Sequence, residues 1–238
     1  MENVSNIKNI NSTKNILNIM KYSFRSLRLT YIIEAVILIL GLSSSTFISR
    51  FTQGFDLIPT VGIALTINFV AHIIIFSCQL SKEYGKLLFL TPIKGIEFIL
   101  GNFLELLLVN GFVVVLTGMA GTVNSNGFAS VLFLTSLTML IGIMVGYLII
   151  TALIAILSSY IKSTVLCVFA VIFSCIFGNI IYDFLSKIML YLLPYFYVSI
   201  GKLGFIEIDI FSVILDMIAL VALQLVAAYM IDKKLDII

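Results

Sequence analysis

The sequence predicts an all-α membrane protein of six transmembrane helices, and three observations carry that reading. Hydrophobic residues make up 61% of the 238-residue chain and charged residues only 11%, against about one quarter charged in soluble domains, so there are too few charges to cover a water-facing surface. Mean hydropathy is +1.19. The apolar stretches reach the length of about 20 residues that a bilayer core requires of a helix. They are unbroken rather than alternating. In lipid every backbone N–H and C=O must be paired within a helix or a closed barrel, and unbroken runs choose the helix.

Residues 1–13 are polar and rich in Asn. Over 14–28 a helical period emerges: at 100° per residue Lys14, Lys21, Arg25 and Arg28 share one arc, while Ile16, Ile19, Met20 and Leu27 share the other. This predicts an interfacial amphipathic helix, with its cations towards lipid phosphates and its apolar side in the acyl boundary. The alternative is the basic region of a signal peptide with Ser43-Ser44-Ser45 as a cleavage site, which the long leader and Glu34 disfavour. Spans are placed at 29–50, 57–80, 93–119, 128–157, 164–183 and 210–231. Between them, 51–56, 121–127 (GTVNSNG) and 158–163 (SSYIKS) are short turns, none long enough for a soluble enzyme. The whole of 1–238 thus reads as a single transmembrane domain.

The stretch 184–209 is apolar and aromatic but interrupted by Pro194, Gly201 and Gly204. It reads as a re-entrant extracellular pair of short helices before the last span, with a seventh span as the alternative. With the N-terminus inside, eleven Lys and Arg fall on the inner side and three (Arg50, Lys187, Lys202) on the outer. By the positive-inside rule both termini and the segment 81–94 are cytoplasmic.

Catalysis has little to stand on. The one histidine, His72, excludes a HExxH metal pair, and no metal site is expected. No G-x-x-x-x-G-K-[ST] loop is present, so the chain has no P-loop for hydrolysing a nucleotide. Cys78, Cys167 and Cys175 lie inside apolar runs and read as packing residues. The acids Glu34, Glu97, Glu105 and Asp216 fall within or at the ends of spans, where an ionised carboxylate is costly and must face protein, a wet cavity or the headgroups. With His72 they are the candidate pathway residues. Glu105 and Asp216 lie deepest, and for them transport and plain interhelical hydrogen bonding remain equal readings. Glu97, Gly101 and Glu105, at i, i+4 and i+8, form one stripe expected to face protein. Ala170, Ser174 and Gly178 make a small-residue stripe that is a candidate dimer seam.

The segment 81–101 then carries a family resemblance. Glu83, Gly85, Leu87-Leu88, Leu90, Thr91-Pro92, Glu97 and Gly101 resemble the recurring pattern of the permease subunit of type-2 ABC exporters, although Asn102 stands where that family usually has Lys. An N-terminal elbow helix, six spans, re-entrant helices before the last span and a short charged tail also resemble that layout. The resemblance implies a permease that binds no cofactor itself, paired with a second copy or a similar paralogue and driven by two copies of a separate ATPase carrying ATP and Mg. It implies that 81–91 is a cytoplasmic coupling helix, docked through Lys82, Glu83, Tyr84, Gly85, Lys86, Leu87, Leu88 and Thr91. It implies a dimer seam through the first and fifth spans, a bacterial plasma-membrane location, and no nucleic-acid partner. Apolar walls suit a hydrophobic or amphipathic cargo, and small permeases of this kind point to peptide export or to resistance against antimicrobial peptides. Two other classes stay open: an ATP-independent proton-coupled carrier using Glu105 and Asp216, and a non-transporting immunity protein.

Overall fold

The computed structural model describes residues 2–48, 57–80, 93–124, 129–161, 164–192, 197–199 and 207–235. These form seven helices: α1 (Glu2–Ser26), α2 (Arg28–Ile48), α3 (Leu57–Leu80), α4 (Gly95–Asn124), α5 (Ala129–Tyr160), α6 (Thr164–Leu192) and α7 (Ile210–Leu235). Two short strands, β1 (Tyr197–Ser199) and β2 (Glu207–Asp209), pair antiparallel with Tyr197 opposite Asp209. The expected coupling segment, Lys82 to Thr91, lies outside the described residues.

Four helices are long and apolar enough to cross a membrane: Ile58–Leu80, Gly95–Met119, Leu132–Tyr160 and Leu166–Phe184. They coincide with the second to fifth expected spans. The first and last expected spans are helical too, as α2 and α7, but neither is among the helices meeting that standard of length and hydropathy in the described residues.

Contacts divide the chain into two compact units, Met1–Thr151 and Ala152–Ile238. In the first, α4 is the central element, packed by α1 and α3, while α2 packs on α3. Two apolar clusters fill the spaces. Leu106 and Val114 of α4 meet Leu140, Met144 and Tyr147 of α5, with Phe69 and Ile73 of α3 alongside. Val61 and Leu65 of α3 meet Val113, with Leu38, Met139 and Ile143 alongside. The outward faces stay apolar: Ile63, Val70, Ile74, Leu108, Phe112 and Ile141 are all exposed, as a lipid-facing surface requires.

The expected amphipathic period of α1 is present, with a different partner. Lys14, Lys21, Arg25 and Arg28 are exposed, and Ile19 and Leu27 are buried. The buried face, however, meets α4: a Cβ on Gly101 would stand 2.8 Å from Cβ of Ile19 and 3.2 Å from the Ile16 carbonyl. Gly101 lets the two backbones approach, so the apolar face that was assigned to the acyl boundary is covered by protein. Helical hydrogen bonds run through the α1–α2 junction, from Leu27 N to Ser23 O (2.9 Å) and from Tyr31 N to Leu27 O (3.0 Å).

α4 begins with a cap. Phe98 N donates to the Lys94 carbonyl (3.0 Å) and Lys94 N donates to Glu97 Oε2 (3.2 Å). That places Glu97 at the third helical position, reaching back as in a capping box, its charge at the positive end of the helix dipole.

In the second unit, α6 continues as one helix past residue 183. The pair of re-entrant helices expected over 184–209 is not what the described residues form. No breaker precedes Pro194, and Lys187 pairs with Asp183 at 3.5 Å one turn back, so the helix reaches Leu192. Beyond it the β-favouring Tyr197 and Val198 pair with Glu207–Asp209 instead of coiling into a second helix. Phe173 and Phe177 stack with centroids 4.7 Å apart, and most of α6 exposes apolar side chains. None of the three cysteines is in a disulfide.

Two glycines separate close approach from mere flexibility. Gly101→Val drives side-chain carbon into Ile19 and is expected to cost about 1–3 kcal/mol by overpacking. Gly111, with nothing within 4 Å of its Cβ position, gains about 0.5–1 kcal/mol as Ala through helix propensity. Thermal unfolding of the two variants in detergent is expected to move in opposite directions.

Candidate functional site: a buried polar cluster along the α3–α4 interface

A series of polar side chains lies between the helices of the first unit. Nearest the start of α4, Asn15 Nδ2 of α1 donates to Glu97 Oε2 at 2.9 Å. Further along, Ser23 Oγ donates to Asn102 Oδ1 (2.7 Å) and receives Gln79 Nε2 (3.1 Å), so one serine joins α1, α3 and α4. Asn102 Nδ2 completes its bonding on the Phe98 carbonyl (3.1 Å). Deeper still, Asn68 Nδ2 donates to Asn110 Oδ1 at 2.6 Å.

Between these two amide layers sits the charged centre. Glu105, 3% exposed, takes Tyr31 Oη–H on Oε1 and meets His72 Nε2 with Oε2. The Tyr31 hydroxyl also lies 3.3 Å from His72 Nε2. His72, 2% exposed, uses Nδ1 on the Asn68 main-chain carbonyl at 2.9 Å. Its ring stands edge-on to Tyr147, centroids 6.4 Å apart. Glu34, also 3% exposed, is near enough to interact with Glu105 through charge, and its Oε1 has no hydrogen-bond partner. The Tyr147 hydroxyl, on a residue 1% exposed, likewise has none. The cations of this unit whose burial is described, Lys14, Lys21, Arg25, Arg28 and Lys94, are all exposed. The centre thus gathers two carboxyls, one imidazole and two phenols, and among the described residues no Lys or Arg side chain is buried with them.

Compared with models of known families, with curated proteins and with solved structures, the chain matches none. The site must therefore be read from its own chemistry.

Of the residues singled out in the sequence, Glu34, His72 and Glu105 come together, and Glu97 lies towards the α4 N-terminus as a helix cap. The stripe of Glu97, Gly101 and Glu105 is buried along its length. Asp216 belongs to the second unit, where it is exposed and accepts a 2.7 Å hydrogen bond from Tyr182 Oη. There too, Ala170 and Ser174 are half-buried and Gly178 is exposed. Among the described residues no group of three His, Cys, Asp or Glu is arranged to hold a metal ion.

Sequence reasoning missed Tyr31, Tyr147, Asn68 and Asn110. A signal existed for the asparagines. Asn68, His72 and Gln79, at i, i+4 and i+11, share one stripe of α3. In an antiparallel pair of helices, residues meet in nested fashion about their connection: Asn68 with Asn110, 42 residues apart, encloses His72 with Glu105, 33 apart.

The asparagine pair gives a test of these contacts. Asn110→Leu strands the Asn68 amide and is expected to cost about 1–3 kcal/mol. Adding Asn68→Leu removes the stranded group, so the double variant should unfold at a higher temperature than the Asn110→Leu single.

Proposed function

We propose that this chain is the membrane permease subunit of an ATP-driven exporter. It works as a homodimer or with a similar paralogue, in a bacterial plasma membrane with both termini in the cytoplasm. ATP and Mg are held by a separate ATPase that docks on 81–91. The cargo is a hydrophobic or amphipathic substrate, a peptide by this reading, and export or self-protection against such a peptide is the role.

The observation that carries this reading is how the chain leaves the docking segment. Within a few residues of Pro92, α4 is capped by Glu97, tied to α1 through Asn15 and fitted against it at Gly101. A movement imposed on 81–92 reaches α1 and α4 as a unit, because the cap, the hydrogen bond and the close approach all lie in the first turns of α4. From there it meets the polar layers that join α4 to α2 and α3. Permeases must hold two packings of similar energy, one of which ATP binding favours, and polar contacts between apolar helices can be exchanged without exposing a new surface. The resemblance of 81–101 to the permease pattern supports the same assignment.

A proton-coupled carrier is the second reading, favoured by the buried pairing of His72 with Glu105. Asp216, its other expected acid, bonds Tyr182 within the second unit instead.

Co-purification with a P-loop ATPase, sought first among the products of neighbouring genes, followed by assay of ATP hydrolysis, tests the first reading. Glu83→Lys and Gly85→Trp are expected to abolish association or to uncouple hydrolysis from transport, leaving the fold intact. Unchanged association with unchanged transport in both variants contradicts it.

A further inference from the structure

The hydrogen-bond partners around His72 bear on how many protons the site holds. Nδ1 faces the main-chain oxygen of Asn68, which can only accept, so Nδ1 carries a hydrogen. Glu105 Oε1 receives the Tyr31 hydroxyl hydrogen. What remains is the contact between Nε2 and Oε2. With no hydrogen there, a nitrogen lone pair would face a carboxylate oxygen and the pair would carry a buried negative charge. With one, the contact is either imidazolium on carboxylate or imidazole receiving from a carboxylic acid, and both are neutral overall. The hydrogen-bond partners around the pair fit its one-proton state.

We propose that His72 and Glu105 form a proton-binding site, whose proton is released and rebound as α3 and α4 change their packing. On release the Nε2–H or Oε2–H bond breaks, the proton passes to a water oxygen, and the pair is left with one negative charge. Among the described residues, that charge has no Lys or Arg side chain buried beside it. The titratable groups facing the pair are Tyr31 and Glu34 from α2 and Tyr147 from α5. α1 contributes the neutral Ser23 towards this interface, and α4 contributes only Glu105 itself at this depth. Glu34 is a second carboxyl whose charge opposes loss of the proton. A second arrangement of the helices has partners waiting: Glu34 Oε1 accepts from nothing in this one, and the Tyr147 hydroxyl is unused. Closure of α3 on α4 and occupancy by a proton are therefore one equilibrium. This holds independently of how an ATPase docks, and its test needs none.

His72 is the only histidine in the chain, so histidine labelling with 15N reports this site alone. In the full-length protein reconstituted in lipid nanodiscs, the His72 nitrogens and the Glu105 carboxyl carbon, assigned by its loss in Glu105→Gln, should change together at a single pH. Nδ1 should keep its hydrogen on both sides of that transition. In Glu105→Gln the ring transition should move by more than about one pH unit. Tyr31→Phe keeps both partners, removes only the donor to Oε1, and should also displace the common midpoint; it serves if Glu105→Gln does not fold. The wild-type unfolding temperature should fall on the alkaline side of the same midpoint. Separate transitions for ring and carboxyl, a neutral ring with its hydrogen on Nε2, or a ring transition indifferent to the variant that folds would each overturn the proposal.

Discussion

Glu105 is the constraint on which the first unit depends. A carboxyl in the middle of an apolar helix is among the costliest groups to place away from water, and it persists only where other side chains replace the water it has lost. Here the replacements come from two directions, Tyr31 of α2 and His72 of α3. His72 is held in turn by the Asn68 carbonyl. Three helices are thereby fixed to one carboxyl, at a depth where the surrounding medium offers no alternative partner. Low local dielectric strengthens each of these bonds and equally raises the cost of breaking one.

The other contacts of α4 extend this arrangement in both directions. Towards its start, Asn102 and Ser23 draw in α1, and Gln79 attaches α3 to the same serine. At the start itself, Glu97 serves the helix end and Asn15 together. Towards the other end, Asn110 meets Asn68 and apolar side chains take over at Val113 and Val114. Between apolar helices in lipid, burial supplies little drive for association, so small residues and polar bonds set the packing. Gly101 supplies the first and the asparagines, Ser23 and Glu105 the second. Such contacts define a packing sharply.

Much of this was legible in the sequence and some was not, for physical reasons. Helix positions for α3 to α6 follow from the length and apolarity of their runs, which are local properties. The protein-facing stripe of Glu97, Gly101 and Glu105 follows from helical period alone. The cationic face of α1 was legible for the same reason, but not the partner of its opposite face, because Ile19 fits lipid and Gly101 equally well. The extent of α6 was misjudged because aromatic, apolar composition over 184–192 was weighed above the absence of any breaker before Pro194. His72 was seen as a lone histidine and Glu105 as a lone acid because hydrogen bonding between helices leaves no trace in either helix's own pattern. Only the nesting of polar positions about the 81–92 connection carries that information, and it requires assuming that α3 and α4 are antiparallel neighbours.

The claim that Glu105 and His72 depend on one another is tested most directly by a double-mutant cycle, with His72→Leu, Glu105→Leu and the double variant unfolded in the same detergent. Each single change leaves a buried polar partner behind, so the double variant should be destabilised by less than the sum of the singles, with a coupling above about 1 kcal/mol. Strict additivity of the two changes would contradict the account, since it would mean that the pair does not hold α3 to α4.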